Sequence, residues 1–127
     1  MSVSLYYSAR RDTPLSPAEN DAVQQVVTAR GATYPYDDEE GLYLYEPGED
    51  DPDEVLSGST KFTNDPARYL PQTRHLLGSM TELRRAVPDA EWRVAIDDSE
   101  IEWEEPVGYT LPGLDDPDLQ AELEALR

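Results

Sequence analysis

Apolar residues recur at helical spacing most clearly between Asn64 and Val87. Leu76, Leu77, Met80, Leu83 and Val87 fall at i, i+1, i+4, i+7 and i+11, which is one face of a helix. Asn64-Asp65-Pro66 supplies a capping side chain followed by proline, the signature of a helix start. Pro71 follows one turn later, so either a short turn precedes the main helix or the helix begins there. Arg84 and Arg85 suit the negative end of the helix dipole, and Pro88 ends the pattern. Trp92, Val94 and Ile96 then alternate with Glu91, Arg93 and Ala95, a strand with one buried face.

The same reading organises the rest of the chain. Val3, Leu5 and Tyr7 alternate with Ser4, Tyr6 and Ser8, a first strand ending near Arg10 and Arg11. Ser16, Pro17 and Glu19 form a capping box, Ala22, Val23, Val26 and Val27 continue a helix, and Gly31 is its expected C-cap. Gly41 to Glu46 reads as a strand with leucines on one side and tyrosines on the other. The turn-rich segment from Pro47 to Asp53 leads to another strand, Glu54 to Phe62, in which Gly58 marks a bulge or a close backbone approach. After the turn at Asp97-Asp98-Ser99, Ile101 and Trp103 alternate with Glu100, Glu102 and Glu104 in an acidic strand expected at a sheet edge. Leu119, Leu123 and Leu126 draw a thin stripe on a short terminal helix that docks or frays.

This order predicts an α+β fold on the ferredoxin-like β-α-β-β-α-β plan. An antiparallel sheet would carry two helices on one face, with the acidic edge strand and terminal helix added. Residues 1–113 are expected to form the single domain and 114–127 a short C-terminal helix or tail. The opposite sheet face, on which Tyr6, Tyr43 and Tyr45 would lie, is left open to a partner or a second copy.

Charge changes the picture most. The 127 residues hold 28 acids and 10 bases, a net charge of −18. Such a field repels nucleic acid and anionic membranes and attracts basic partners. The acids cluster: Asp37 to Glu54 contains ten with no base, and from Asp89 to Glu124 Arg93 stands alone among thirteen. A GC-rich genome or salt adaptation would supply an alternative origin for this composition, since nine of the ten bases are arginine. The opening residues lack the features of a signal peptide, and no apolar run reaches membrane-spanning length, so a cytoplasmic location is expected.

Candidate chemistry is sparse. Without cysteine there is no disulfide, thiolate nucleophile or Cys-based zinc site. The acidic runs lack the EF-hand frame, and His75, the sole histidine, has no companion nucleophile or second ligand in view. No cofactor or metal is expected. Eight tyrosines suggest base stacking, but the sign of the field argues against RNA. Arg10 and Arg11 could clamp an anion, although pairing with carboxylates of the same chain is the favoured reading.

The sequence therefore points to a non-enzymatic interaction domain binding a basic macromolecular partner, of the kind a bacterial immunity protein or a nucleic-acid-mimicking inhibitor would be. The residues expected to carry it are Asp37, Asp38, Glu39, Glu40, Glu49, Asp50, Asp51, Glu102 and Glu104, with Tyr43 and Tyr45 as aromatic anchors. The alternative is a ferredoxin-like homodimer enclosing a small-molecule pocket, enzymatic or not, around Tyr6, Tyr43, His75 and Arg10.

Overall fold

The computed structural model describes residues 3–45, 53–114 and 116–126. Strands β1 (Ser4–Arg10), β2 (Glu54–Lys61), β3 (Glu91–Ile96) and β4 (Ser99–Glu100) form an antiparallel sheet in the order β2-β1-β3-β4. A second, two-stranded sheet joins β5 (Trp103–Glu104) to β6 (Gly108–Tyr109). Helices α1 (Pro17–Thr33), α2 (Pro66–Ala86) and α3 (Pro117–Ala125) complete the α+β architecture.

The core follows from strand alternation. Leu5, Tyr7 and Ala9 of β1 and Trp92 and Val94 of β3 are buried with Val23 of α1 and Leu76, Leu77, Met80 and Leu83 of α2. Tyr6, between two buried neighbours on β1, stays 48% exposed on the other face. The periodic stripe of α2 thus meets the apolar face of the sheet, as its spacing requires.

Both long helices depart from the expected boundaries. The Ser16 capping box forms as predicted, with Glu19 N–H bonded to the Ser16 hydroxyl and the Glu19 carboxylate accepting from Ser16 N–H. However, α1 passes through Gly31 and stops at Tyr34, whose extended backbone is what the following Pro35 demands. Helix α2 starts from an Asp65 cap and runs continuously across Pro71. Proline at 71 cannot donate to the Ala67 carbonyl, four residues back. Gln120 of α3 takes that carbonyl instead, its Nε2 donating over 2.9 Å. Helix α3 therefore docks on α2, with Leu119 and Leu123 packed against the core.

Two strand expectations are corrected. Residues 41–45 form no regular strand and touch β2 through a Leu44–Gly58 bridge and the Tyr45 N–H to Ser57 carbonyl bond. The regular elements accordingly run β-α-β-α-β-β-β-β-α, which differs from the β-α-β-β-α-β expectation. The acidic strand expected after Ser99 is split: Ser99–Glu100 pairs with β3, and Trp103–Glu104 turns away to pair with β6.

A phenol replaces part of the missing ladder. The Tyr7 ring lies across Gly58, where an added Cβ would sit 2.4 Å from Tyr7 Cε2 and 2.0 Å from the Tyr43 carbonyl oxygen. That placement lets the Tyr7 hydroxyl accept from Tyr43 N–H at 2.9 Å and donate to the Tyr43 carbonyl at 2.7 Å. Thr60 Oγ1 stands 3.0 Å away and in turn donates to the Gly41 carbonyl. Gly58 is thus a close-approach glycine, while the β1–β2 irregularity falls at Ala9/Arg10.

Candidate functional site

The two acidic runs have different surroundings. In the first, Asp37 is exposed, whereas Asp38 and Glu39 face Arg68 at 2.8 and 3.5 Å. The Arg68 guanidinium also stacks over Tyr36 and contacts its own helix cap, Asp65. Glu40 Oε1 accepts from Lys61 N–H. The arginine that gathers these groups comes from α2, far along the chain, so no local sequence signal announces it. Glu46, Glu49, Asp50 and Asp51 lie outside the described residues.

The second run is the more open one. Asp97, Asp98, Glu100, Glu102, Glu104 and Glu105 are all exposed and follow one another through β4, the outer strand of the main sheet, into β5. Among the described residues none of these six takes part in an ion pair. Asp97 accepts from Ser4 N–H, and Glu105 accepts from the Trp103 indole. The carboxylates of the other four make no hydrogen bond among the described residues. Glu102 and Glu104, expected from sequence, belong here; Asp97, Asp98 and Glu100 join them because the chain turns at the sheet edge.

The tyrosines expected on the open face do gather there. Tyr6 pairs across β1–β2 with Ser59, and the Tyr45 hydroxyl meets the Ser59 hydroxyl. Tyr43 and Tyr45 stack edge to face at 5.5 Å and are 60% and 49% exposed. The flanking arginines are occupied, as the same-chain reading expects. Arg10 reaches Glu54 at 3.6 Å, and Arg11 grips Glu19 at 2.5 Å and Asp89 at 2.7 Å. The Arg11 hydrogen bond, then the Ser16 backbone bond, holds the Glu19 carboxyl down at about 2.

His75 sits apart from this group, on α2 beside α1. Its ring leans on Tyr34 at 5.2 Å, and Nε2 lies 3.1 Å from the Thr33 hydroxyl. That hydroxyl also lies 3.3 and 3.2 Å from the Ala29 and Arg30 carbonyls, either of which can accept its single proton. Nδ1 is buried without a partner. Burial, reinforced by the Arg30 charge, pushes the imidazole below its ordinary value. Tyr6, Tyr43, His75 and Arg10 therefore do not converge on one pocket.

Three of the protein's cations line a separate cleft that the sequence reading did not single out. Arg30, Arg74 and Arg85 border a space of about 320 Å³ between α2 and residues 107–114, with Leu77, Val107 and Leu114 among its apolar walls. The spacing of Arg74 and Arg85 on α2 was visible, but Arg30 arrives from α1. Among the described residues no group of three or more His, Asp or Glu side chains is arranged to hold a metal ion. No helix is long and apolar enough to cross a membrane. Compared with known proteins, the chain matches no family model, no curated protein and no solved structure.

Proposed function

We propose that this protein is a non-enzymatic interaction domain whose acidic sheet edge, residues 97–105, docks a basic protein. The observation that carries the reading is the run of six exposed carboxylates on and beside β4, without an ion-pair partner among the described residues. Unpaired carboxylates keep their full field for an incoming cation, whereas Asp38 and Glu39 have already spent part of theirs on Arg68. The reading includes a ferredoxin-like plan for the sheet, in which residues 42–45 stand for the second strand. Support comes from the Leu44–Gly58 bridge, which sets that segment outside β2. An immunity or inhibitor role fits this surface, with the partner acting from the same cytoplasm.

The test is a matched pair of charge variants. A triple variant, Glu100→Gln, Glu102→Gln and Glu104→Gln, removes three charges from the edge. A control, Asp21→Asn, Glu122→Gln and Glu124→Gln, removes three from helix surfaces. Proteins captured from the source proteome by the wild type are expected to be basic, to be retained by the control and to be lost by the edge variant. Equal retention by both variants would refute the edge as the binding surface.

A second reading is a homodimer closing over the tyrosines of the open sheet face. It is favoured by Tyr6, Tyr43 and Tyr45, each about half exposed on one surface.

A further inference from the structure

We propose that His75 works as a proton-operated latch: the neutral ring holds the end of α1 and residues 34–41 against α2, and its protonation releases them. The protein has one histidine, and it stands where these three segments meet.

The neutral ring satisfies the contacts of this joint. From α2, the imidazole brings Nε2 to 3.1 Å from the hydroxyl of Thr33, the last residue of α1, and leans on the Tyr34 ring at 5.2 Å. Tyr34 carries the contact onward. Its hydroxyl donates to the Glu40 carbonyl and accepts from Nε2 of Gln72, which is fully buried in α2. His75 thus braces the Tyr34 ring while Gln72 holds its hydroxyl. Asp38 and Glu39, which Arg68 clamps, ride on the segment between Tyr34 and Glu40.

The charged ring does not fit the same place. A neutral imidazole has one N–H, and an imidazolium has two. Nδ1 is buried with no partner among the described residues. In the charged ring its N–H is therefore a buried donor without an acceptor, whichever nitrogen is protonated last. The nearby charge also has the same sign. Arg30 of α1 bears on the ring, and it is fixed in position. Its guanidinium donates to the His75 carbonyl at 2.7 Å and to the Ser79 hydroxyl at 2.9 Å. It lies over Gly78, where a Cβ would come within 2.8 Å of Nη2. Glu82 of α2 stands 3.3 Å from the same guanidinium, and so serves Arg30. From the segment after α1 the titratable group facing the ring is Tyr34, with Glu39 and Glu40 acting on that phenol. With Arg30 held, the half-buried imidazole is the part that moves. Swinging outward hydrates both N–H groups and ends the contacts with Thr33 and Tyr34.

Linkage sets the direction. A released imidazole titrates near the ordinary 6.5, whereas burial, and then the Arg30 charge, holds the closed one lower. The hold of the neutral ring is therefore complete above pH 6.5. As pH falls from there, the opening constant rises by up to about tenfold per pH unit, until the closed ring also protonates.

NMR of the full chain from about pH 8 to about pH 4.5 spans this interval. The His75 ring protons report protonation, and the Overhauser contact between the His75 and Tyr34 rings reports the latch. Exchange of the Tyr34 and Glu39 amides, corrected for its intrinsic pH dependence, reports release of the segment. As the ring titrates, its contact with Tyr34 is expected to fade and both amides to exchange about tenfold faster or more. The Ala95 amide, in β3 beside β1, is expected to stay protected. His75→Gln, neutral at every pH, should keep the exchange of Tyr34 and Glu39 flat. A ring contact that persists after His75 has titrated overturns the proposal, and the wild type alone decides this if the variant fails to fold. Loss of Ala95 protection at the same pH would mean that the whole domain unfolds. Equal acceleration in His75→Gln would mean that carboxylates drive the release. Either of these results also overturns the latch.

Discussion

Replacing Gly58 with alanine tests the least conventional contact in the fold. The new Cβ would lie 2.0 Å from the Tyr43 carbonyl oxygen and 2.4 Å from Tyr7 Cε2, both far inside normal contact. Neither neighbour can move alone, because the Tyr7 hydroxyl bonds Tyr43 through both N–H and C=O and also meets Thr60 Oγ1. Relief requires the ring to swing out or residues 41–45 to lift off. Losing those hydrogen bonds costs about 0.5–1.5 kcal/mol each. Overpacking adds about 1–3 kcal/mol. The expected destabilisation is about 3–5 kcal/mol, a large share of the total stability of an ordinary domain. Urea unfolding followed by Trp92 and Trp103 fluorescence gives the global figure, and hydrogen exchange at the Tyr43 and Tyr45 amides gives the local one. Should the segment peel away alone, the midpoint moves little but both amides lose protection. Tyr7→Phe, which removes the hydroxyl and keeps the ring, should cost less, about 1–3 kcal/mol. The reasoning is refuted if Gly58→Ala leaves both the midpoint and the protection of these amides as in the wild type.

His75 makes stability depend on pH in a stated direction. Its folded value lies below the ordinary 6.5, so the unfolded chain binds the proton more readily. The stabilisation is therefore complete above pH 6.5, and it declines as pH falls from there until the folded imidazole also protonates. Urea midpoints across that interval should fall for the wild type and stay flatter for His75→Gln; parallel curves for the two proteins would contradict the assignment. The acidic edge predicts a separate salt effect. The triple glutamine variant at residues 100, 102 and 104 should be more stable than wild type at low salt, by about 0.5–1 kcal/mol. Thermal melts should show the gain shrinking as salt rises, whereas Asp38→Asn, which removes an Arg68 partner, should give no gain.

Periodicity made most of this fold legible, and proline bookkeeping explains much of what it missed. The α2 stripe is buried throughout, and the β1 and β3 alternations bury Leu5, Tyr7, Trp92 and Val94, because those patterns are local and need no knowledge of partners; Val3 and Ile96 at the strand ends are half-buried, and Ala95, placed by alternation on the open face, is buried as well. The end of α1 was misplaced because Gly31 and Pro35 are competing stop signals, and the backbone restriction before proline prevailed. Pro71 reads as a break, yet the helix survives because the carbonyl it frees meets Gln120, 53 residues distant. The second strand shows the opposite failure. Its leucine and tyrosine alternation is real, with Leu42 and Leu44 against the core and Tyr43 and Tyr45 exposed, but pairing is interrupted where the Tyr7 hydroxyl takes the Tyr43 backbone groups. Alternation reports which face is buried; it does not report which atoms complete the ladder.

The candidate surfaces were legible to a lesser degree, for an electrostatic reason. A run of acids in sequence fixes where negative charge begins, but its field is set by where the cations fold back. Arg68 from α2 returns to Asp38 and Glu39, and Arg11, just after β1, returns to Glu19 and Asp89. Arg84 turns to the aromatic pair instead, lying 4.5 Å from the Trp103 ring centroid and donating to the Tyr109 hydroxyl. Arg93, the nearest base in the second run, makes no ion pair among the described residues. The arginines thus divide the acids into a clamped group and an unclamped one, although both groups look alike as strings of letters. Since an exposed ion pair contributes only about 0–1 kcal/mol, this division costs the fold little while changing the exterior field greatly. The recognition proposed for residues 97–105 has its physical origin in this division. With few cations to distribute, clamping one group of acids leaves another without an ion-pair partner among the described residues, and that remainder is where a basic partner would find its gain.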